Sequence, residues 1–184
     1  LMSNKKPEAI FEYPSMSDAL WLREQRNRPE LMRWFRQRFP ITEKEQIEWY
    51  TNIDIERTKP FIIWNNDVRI GYVGLNPIDK NHSHAEFGIF IISEYQKKGY
   101  AETAVKFILN FGFNELLLHK IYSDAFDLFG SAWPFYEKLG FKKEGCLIEH
   151  YYKDAKWIDS IVFYMLREDY DKKYNNHGNE RLPN

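Results

Sequence analysis

The sequence predicts a single-domain α/β fold, with a mixed, mostly antiparallel sheet and helices on both faces. The segments follow the order strand, helices, three strands, helix, strand, helix, two strands. A hairpin over residues 61–75 and a final strand pair over 141–166 join neighbours through short turns, which makes those pairs antiparallel. The strand–helix–strand unit over 85–126 implies one parallel pair. The 184 residues, 43% of them hydrophobic, suit one domain with a sizeable core.

The N-terminal half is interpreted from its caps, prolines and turn residues. Pro14 ends a first strand, and Thr42 followed by Glu45 has the capping-box pattern. Two runs rich in β-branched and aromatic residues flank a turn at 65–67. The elements expected here are a strand at 9–13, a helix capped by Ser17 that runs to about Asn27, a helical piece after Pro29 with Leu31, Trp34 and Phe35 on one face, a helix from Thr42 to about Asn52, and a hairpin of residues 61–64 and 68–75.

The C-terminal half alternates strand and helix before a last strand pair. Pro134 fits only the first turn of a short helix, and Gly140 suits the left-handed position after its end. The elements expected here are strands at 85–92 and 120–126, helices near 100–114 and from Ser131 to Leu139, and strands at about 141–152 and 157–166 around a turn at 153–155. The domain is expected to span residues 8–168, with residues 1–7 flexible and the charged tail 169–184 frayed.

Composition excludes several classes of protein. The net charge of −1 argues against a general nucleic-acid binder, and no apolar run of 18 residues could span a membrane. No charged-then-apolar segment opens the chain, so we expect no secretory signal. Cys146 is the only cysteine, which suits a reducing cytoplasm. Neither a Gly-x-Ser-x-Gly nor a phosphate-loop motif is present, so hydrolase and nucleotide-hydrolysing functions have no support.

The segment from Gln96 through Lys97, Lys98, Gly99 and Tyr100 to Ala101 joins a predicted strand to a predicted helix. A turn of this kind directs unpaired backbone N–H groups outward, and the helix dipole adds positive potential. Gly99 lets the backbone approach a phosphate closely. The segment therefore indicates an anion site, with an ordinary strand–helix turn as the alternative.

Three stretches resemble the Gcn5-related N-acetyltransferases, especially the bacterial branch that acts on small molecules and ribosomal proteins. They are Ala85-Glu86-Phe87 through Ala101, Leu118 to Tyr122, and Tyr136 to Phe141. They look like the acetyl-CoA strand with its pyrophosphate loop, the strand that splays away from it, and the late helix with the strand after it. The resemblance covers roughly residues 9–168 and implies acetyl transfer from acetyl-CoA to an amine.

The resemblance also implies where acetyl-CoA binds. Residues 96–101 would hold its pyrophosphate, and backbone N–H groups near Phe90, Ile91 and Ile92 would stabilise the oxyanion. The family usually has an asparagine seven residues before the tyrosine of the third stretch, where it commonly contacts the pantetheine arm. Phe129 stands at that position. This departure keeps open a second hypothesis, a non-catalytic module that binds acyl-CoA or a regulatory partner.

Acetyl transfer needs a base for the amine and an acid for the leaving thiolate. A free amine near pKa 10 is protonated at pH 7, and Glu86 is the first candidate for its base, acting directly or through water. A carboxylate paired with an arginine, or simply solvated, is the alternative for Glu86. Asp124 is the second base candidate, with a capping or solvated acid as its alternative. Tyr136 occupies the family's general-acid position, and an aromatic core residue is its alternative.

Six arginines lie between residues 23 and 38, in the region that usually covers the acceptor in this fold. Such a cluster can hold a diphosphate or carboxylate by paired hydrogen bonds, with a solvated helical face as the alternative. We take Arg26, Arg28 and Trp34 as the substrate-contact candidates. Aromatic residues here could line the pocket, but helical spacing favours a core position for Trp34, Phe35, Trp49 and Tyr50.

Residues 22–30 and 41–43 resemble acetyltransferases that act on amino-sugar nucleotides, which is the favoured small-molecule acceptor. Residues 85–101 also resemble spermidine acetyltransferases, but a polyamine site would want carboxylates where this chain has arginines. Acetylation of ribosomal-protein N-termini stays open. His82 and His84 lack a cysteine partner, so no metal is expected. A homodimer is a further expectation, because late strands often mediate dimers in this fold.

Overall fold

The computed structural model describes residues 7–128 and 132–175. These residues form one seven-stranded sheet in the order β1-β2-β3-β4-β5-β7-β6. The strands are β1 Ile10–Glu12, β2 Lys59–Asn65, β3 Val68–Asp79, β4 His84–Ile91, β5 Lys120–Phe126, β6 Lys142–Lys153 and β7 Lys156–Leu166. The α-helices are α1 Met16–Arg26, α2 Pro29–Met32, α3 Glu43–Thr51, α4 Tyr100–Asn110, α5 Trp133–Lys138 and α6 Arg167–Tyr170.

The predicted sheet topology is confirmed. Every neighbouring strand pair is antiparallel except β4 and β5, which run parallel. The parallel pairing covers only the three residues from His84 to Glu86, which face Lys120 to Tyr122. Beyond Glu86 the two strands separate, although each continues for several residues. No helix within the described ranges is long and apolar enough to cross a bilayer.

Helices cover both faces of the sheet, as predicted. Val73 and Phe87 belong to a buried cluster that includes Val105 and Ile108 of α4. Side chains alternate across a strand, so Tyr72 points to the opposite face, where it lies beside Arg26 of α1. The hydrophobic core therefore holds α4 on one face, while the N-terminal helices lie on the face that carries Tyr72.

The cap of α1 is Ser15, and the prediction of Ser17 is wrong. The Ser15 hydroxyl accepts a hydrogen bond from the Asp18 N–H, and the Asp18 carboxylate accepts one from the Ser15 N–H. This reciprocal arrangement needs an acidic residue three positions after the cap. Ser15 has Asp18 there, whereas Ser17 has Leu20. The predicted capping box of Thr42 and Glu45 is confirmed.

Two further helix predictions need correction. Helix α2 ends at Met32, so the helical face predicted to carry Trp34 and Phe35 does not form. Residues 169–175 of the tail are ordered where they were expected to fray, because α6 is followed by a π-helical turn over Asp171–Asn175. Tyr170 is buried against the Phe113 ring, 4.9 Å between centroids. Residues 1–6 and 176–184, also expected to be flexible, lie outside the described residues.

Candidate active site

A cleft of about 530 Å3 opens where β4 and β5 separate. The Ser123 hydroxyl donates to the Phe87 carbonyl at 2.7 Å just beyond the parallel pairing. After that link no backbone pairing joins β4 to β5 among the described residues, so the N–H groups on this edge of β4 can pair with an extended ligand as those of an added strand would. The cleft brings together side chains from α1, α3, β3, β4, β5 and α5, including Arg26, Trp49, Tyr72, Glu86, Asp124 and Tyr136.

The direction of the β4 N–H groups follows from its pairing with β3. The Ile92 N–H donates to the Ile70 carbonyl at 2.9 Å and is therefore committed to β3. Successive residues of an antiparallel strand point their N–H groups to opposite edges, so Phe90 also faces β3, and Ile91 and Ile89 face the cleft edge. The prediction of Phe90 and Ile92 as oxyanion donors is therefore wrong, because their N–H groups point to β3. The N–H group of Ile91 has the required direction. So does that of Ile89, which the sequence argument missed.

Residues 96–101 have the backbone geometry of an anion cradle. Lys97 and Gly99 are in the left-handed region at φ +58° and +91°. Gln96 donates from its side-chain amide to the Ile91 carbonyl at 2.8 Å, which fixes the loop to the end of β4. The first helical N–H bond of α4 is from Thr103 to the Gly99 carbonyl, so the preceding N–H groups have no intrahelical acceptor.

Some side chains of the cradle pack into the core, and others supply positive charge. The Tyr100 ring is buried, so its backbone rather than its hydroxyl is available. The Lys98 ammonium lies 5.1 Å from the centre of the Tyr95 ring. Lys97 lies in the loop, and Ala101 lies in the first turn of α4. A diphosphate fits this arrangement, because N–H groups without an intrahelical acceptor meet the positive end of the helix dipole there, and Lys97 and Lys98 add positive charge to the same loop.

Tyr136 of α5 lines the cleft and is also part of the aromatic core. Its ring stacks on Phe163 at 4.3 Å between centroids and meets the edge of Phe87 at 5.8 Å. Burial raises the pKa of the Tyr136 hydroxyl. The two interpretations of Tyr136 are thus compatible, because packing fixes a ring that reaches the cleft. Phe129, the departure from the family pattern, lies outside the described residues.

Glu86 and Asp124 converge on one guanidinium, that of Arg36. Arg36 Nη2 donates to Oε1 of Glu86 and to Oδ1 of Asp124. Burial alone would lower the pKa of Arg36, but the hydrogen bond to Glu86 and the two carboxylate charges outweigh it and raise that pKa. The arginine-paired alternative for Glu86 is therefore the arrangement in this structure. Sequence reasoning named a partner of this type without singling out Arg36.

The two carboxylates differ in how fully they are engaged. Asp124 also accepts a hydrogen bond from the Ser160 hydroxyl, and its side chain is 8% exposed. Burial, with the charge of Asp124 beside it, raises the pKa of Tyr151 to about 12. Glu86 is 17% exposed. Glu86 is thus the more available base of the pair, and Asp124 is held in place by several neighbours.

Most arginines between 23 and 38 bond to the chain itself. Arg28, a predicted substrate contact, pairs with Glu94 at 3.1 Å and with Glu30 at 2.7 Å. Arg23 donates to the Ile41 carbonyl at 3.0 Å, and Arg33 pairs with Asp154 at 3.2 Å. Arg26 differs, because it lines the cleft over the Phe35 ring and has no carboxylate partner among residues 7–128 and 132–175. Burial lowers the pKa of Arg26.

Residues 33–38 cross from the N-terminal helices to the β6–β7 turn. Besides the Arg33–Asp154 pair, the Arg38 guanidinium lies 4.9 Å from the centre of the Tyr152 ring. Lys153 donates to the Gln37 carbonyl. Trp34 lines the cleft and is 51% exposed. Of the two positions left open for Trp34, Phe35 and Trp49, all three take the pocket-lining one, and the core position that helical spacing favoured is wrong.

Comparison with known proteins gives one consistent family. The sequence model of the family described as "Acetyltransferase (GNAT) domain" matches residues 10–142. The chain is 30% identical over 145 residues to spermidine N(1)-acetyltransferase of Vibrio cholerae, covering 78% of this chain and 84% of that protein. A crystal structure of the Vibrio cholerae enzyme in complex with CoA and spermine superposes with a TM-score of 0.81 at 27% identity, covering 88% of this chain and 97% of that one.

A further Vibrio cholerae structure bears on assembly. It is a dodecameric spermidine N-acetyltransferase in an intermediate state, with a TM-score of 0.77 and 26% identity, covering 92% of this chain and 98% of that one.

Proposed function

Because this chain belongs to the GNAT acetyltransferase family and is an acetyl-CoA-dependent N-acetyltransferase, we propose that its acceptor is a linear polyamine of the spermidine class. One observation carries the proposal: Glu86 and Asp124 lie close enough for a single guanidinium to bond both. The guanidinium of Arg36 thus occupies the position between the two carboxylates where a substrate ammonium would bind. The similarity to spermidine acetyltransferases supports the same class.

The polyamine replaces the amino-sugar nucleotide as the favoured acceptor. The argument for a nucleotide depended on a cluster of available arginines, but Arg23, Arg28, Arg33 and Arg36 bond within the chain. The argument against a polyamine was a lack of carboxylates. Strands β4 and β5 supply them from outside the arginine-rich segment.

Each chemical step has a residue in the cleft. Glu86 would take a proton from the ammonium, so that the neutral amine can form the new C–N bond. The N–H groups of Ile91 and Ile89 would donate to the carbonyl oxygen as negative charge develops on it, and losing such a donor typically costs about 3 kcal/mol. Tyr136 would give its proton to the departing thiolate as the C–S bond breaks, and solvent would restore that proton.

The acceptor class can be tested by measuring CoA release with four amines. Spermidine, spermine, a uridine diphosphate amino sugar and a peptide with a free N-terminus would be compared at fixed acetyl-CoA. We expect kcat/KM for spermidine to exceed those for the amino sugar and the peptide at least tenfold. A preference for the amino sugar or the peptide would overturn the polyamine proposal and leave the family assignment untouched.

The role of Glu86 can be tested with matched substitutions. We expect Glu86→Gln to lower kcat about 100-fold, within the usual range for loss of a general base. The control is Glu43→Gln, which changes an exposed glutamate in the first turn of α3. Equal activity in the two variants would exclude Glu86 as the base.

An acceptor with an anionic group is the second candidate. It is favoured by Arg26, whose guanidinium lines the cleft with no carboxylate partner in the described part of the chain. Arg26→Gln would lower kcat/KM for the amino-sugar nucleotide selectively if that substrate were correct. A cytoplasmic location and a homodimer stay predictions. The dodecameric relative supports assembly of some kind.

A further inference from the structure

The β3–β4 hairpin brings Asp79, His82 and His84 together outside the cleft. Asp79 ends β3, His84 begins β4, and the two are cross-strand partners. Between them Ser83 has a left-handed backbone at φ +54°, which helps the short loop to reverse direction. Asp79 Oδ2 lies 3.2 Å from His82 Nδ1 and 3.9 Å from His84 Nε2. The three potential ligand atoms all lie within 4.8 Å of one another.

Contacts within the hairpin orient two of these side chains. The His82 backbone N–H donates to Asp79 Oδ1 at 2.9 Å, which leaves Oδ2 on the side of the imidazoles. The His84 ring packs against the edge of Tyr122 at 5.7 Å between centroids, and its Nδ1 is buried. The nitrogen that His84 can offer to a ligand is therefore Nε2, the one that faces Asp79.

The spacing suits a transition-metal dication. Ligands about 2.0–2.2 Å from Zn²⁺ stand roughly 3.3 Å apart in a tetrahedral site. The separations here start at 3.2 Å and stay within 4.8 Å, so the side chains must close by about an ångström or somewhat more. The exposed fractions, 75% for His82, 36% for His84 and 38% for Asp79, leave room for this movement.

We propose that Asp79, His82 and His84 form a binding site for a dication of the Zn²⁺ class, with the remaining positions open to water. Two imidazoles and one carboxylate favour such metals over Mg²⁺ and Ca²⁺, which take oxygen ligands. The sequence argument considered only the two histidines. It missed Asp79 because the hairpin, rather than the spacing of the histidines, brings the carboxylate to them.

The proposal can be tested by Zn²⁺ binding to the full chain without a polyhistidine tag, in competition with a chromophoric chelator. We expect one equivalent to bind, and His82→Asn and His84→Asn each to weaken binding at least tenfold. The control is His150→Asn, because His150 is on β6 outside the cluster. Melting temperatures within 2 °C of the parent would be required of each variant, about the shift that a fraction of a kcal/mol causes in a domain of this size.

A second measurement uses Co²⁺ as a spectroscopic probe. Bound Co²⁺ should give visible absorption that His84→Asn abolishes and Mg²⁺ does not displace. Unchanged Zn²⁺ affinity in both cluster variants, or an equal loss in His150→Asn, would show an adventitious ion only and overturn the proposal. If the asparagine variants did not fold, His82→Gln, in the exposed loop, would decide by the same criteria.

Discussion

Removing the Arg36 guanidinium should make the enzyme bind a cationic acceptor more tightly. Arg36 is the cation that Glu86 and Asp124 now hold, and a polyamine ammonium must displace it. Because Arg36 is 49% exposed, each contact is discounted toward the value of a surface pair, about 0.5–1 kcal/mol. Two contacts give about 1–2 kcal/mol, so KM for spermidine should fall roughly 5- to 30-fold in Arg36→Ala.

The assay is CoA release at saturating acetyl-CoA, with spermidine varied at constant ionic strength. Arg57→Ala is the control, because Arg57 is an exposed arginine that does not line the cleft. Arg36→Ala should also lower the melting temperature, since it leaves two neighbouring carboxylates without their shared cation. An unchanged or higher KM in a folded Arg36→Ala protein would refute the idea that Arg36 occupies the ammonium position.

Three further predictions concern the acid, the phosphate loop and the first helix. Tyr136→Phe should lower kcat about 100-fold or more and change acetyl-CoA affinity less than twofold, as measured by steady-state kinetics and calorimetry. Gly99→Val should weaken acetyl-CoA binding at least tenfold in the same titration, because φ is +91° and an added Cβ would lie 3.1 Å from Pro7, whereas Gly145→Ala, whose Cβ meets nothing within 4 Å, should have no effect. Hydrogen bonds from Ser15 and Arg69 overcome burial and lower the pKa of Asp18, so its stabilisation is present above the unfolded-state pKa near 3.9 and is lost as pH falls through the folded value. Asp18→Asn should therefore lower the melting temperature at pH 7, and the difference from the parent should vanish in strong acid.

Features set by a few neighbouring residues could be predicted from the sequence. The bounds of β5, from Lys120 to Phe126, are those expected. Gly140 is left-handed at φ +96° after α5, as its position after a short helix requires. Helix caps also depend on residues only three positions apart. The cap of α1 was wrongly assigned to Ser17 because the pairing of Ser15 with Asp18 was overlooked.

Features set by distant contacts could not be predicted in the same way. The N–H direction at Ile92 depends on its register with Ile70, and a shift of one residue would reverse it. The position of Arg36 depends on carboxylates 50 and 88 residues away. Residues 169–175 of the tail are held in place because Tyr174 donates to the Leu139 carbonyl at 2.7 Å, a contact that the charged sequence of the tail does not indicate.

Residues 33–38 cross to the β6–β7 turn and are held there by charged side chains rather than by apolar packing. Arg33 forms a solvent-exposed ion pair with Asp154, and the Arg38 guanidinium packs on the ring of Tyr152 in the edge strand β6. Dissolved ions weaken such attachments far more than they weaken apolar packing. The segment should therefore separate from the β6–β7 turn more easily as the ionic strength rises. At low ionic strength it should cover the cleft for a larger share of the time.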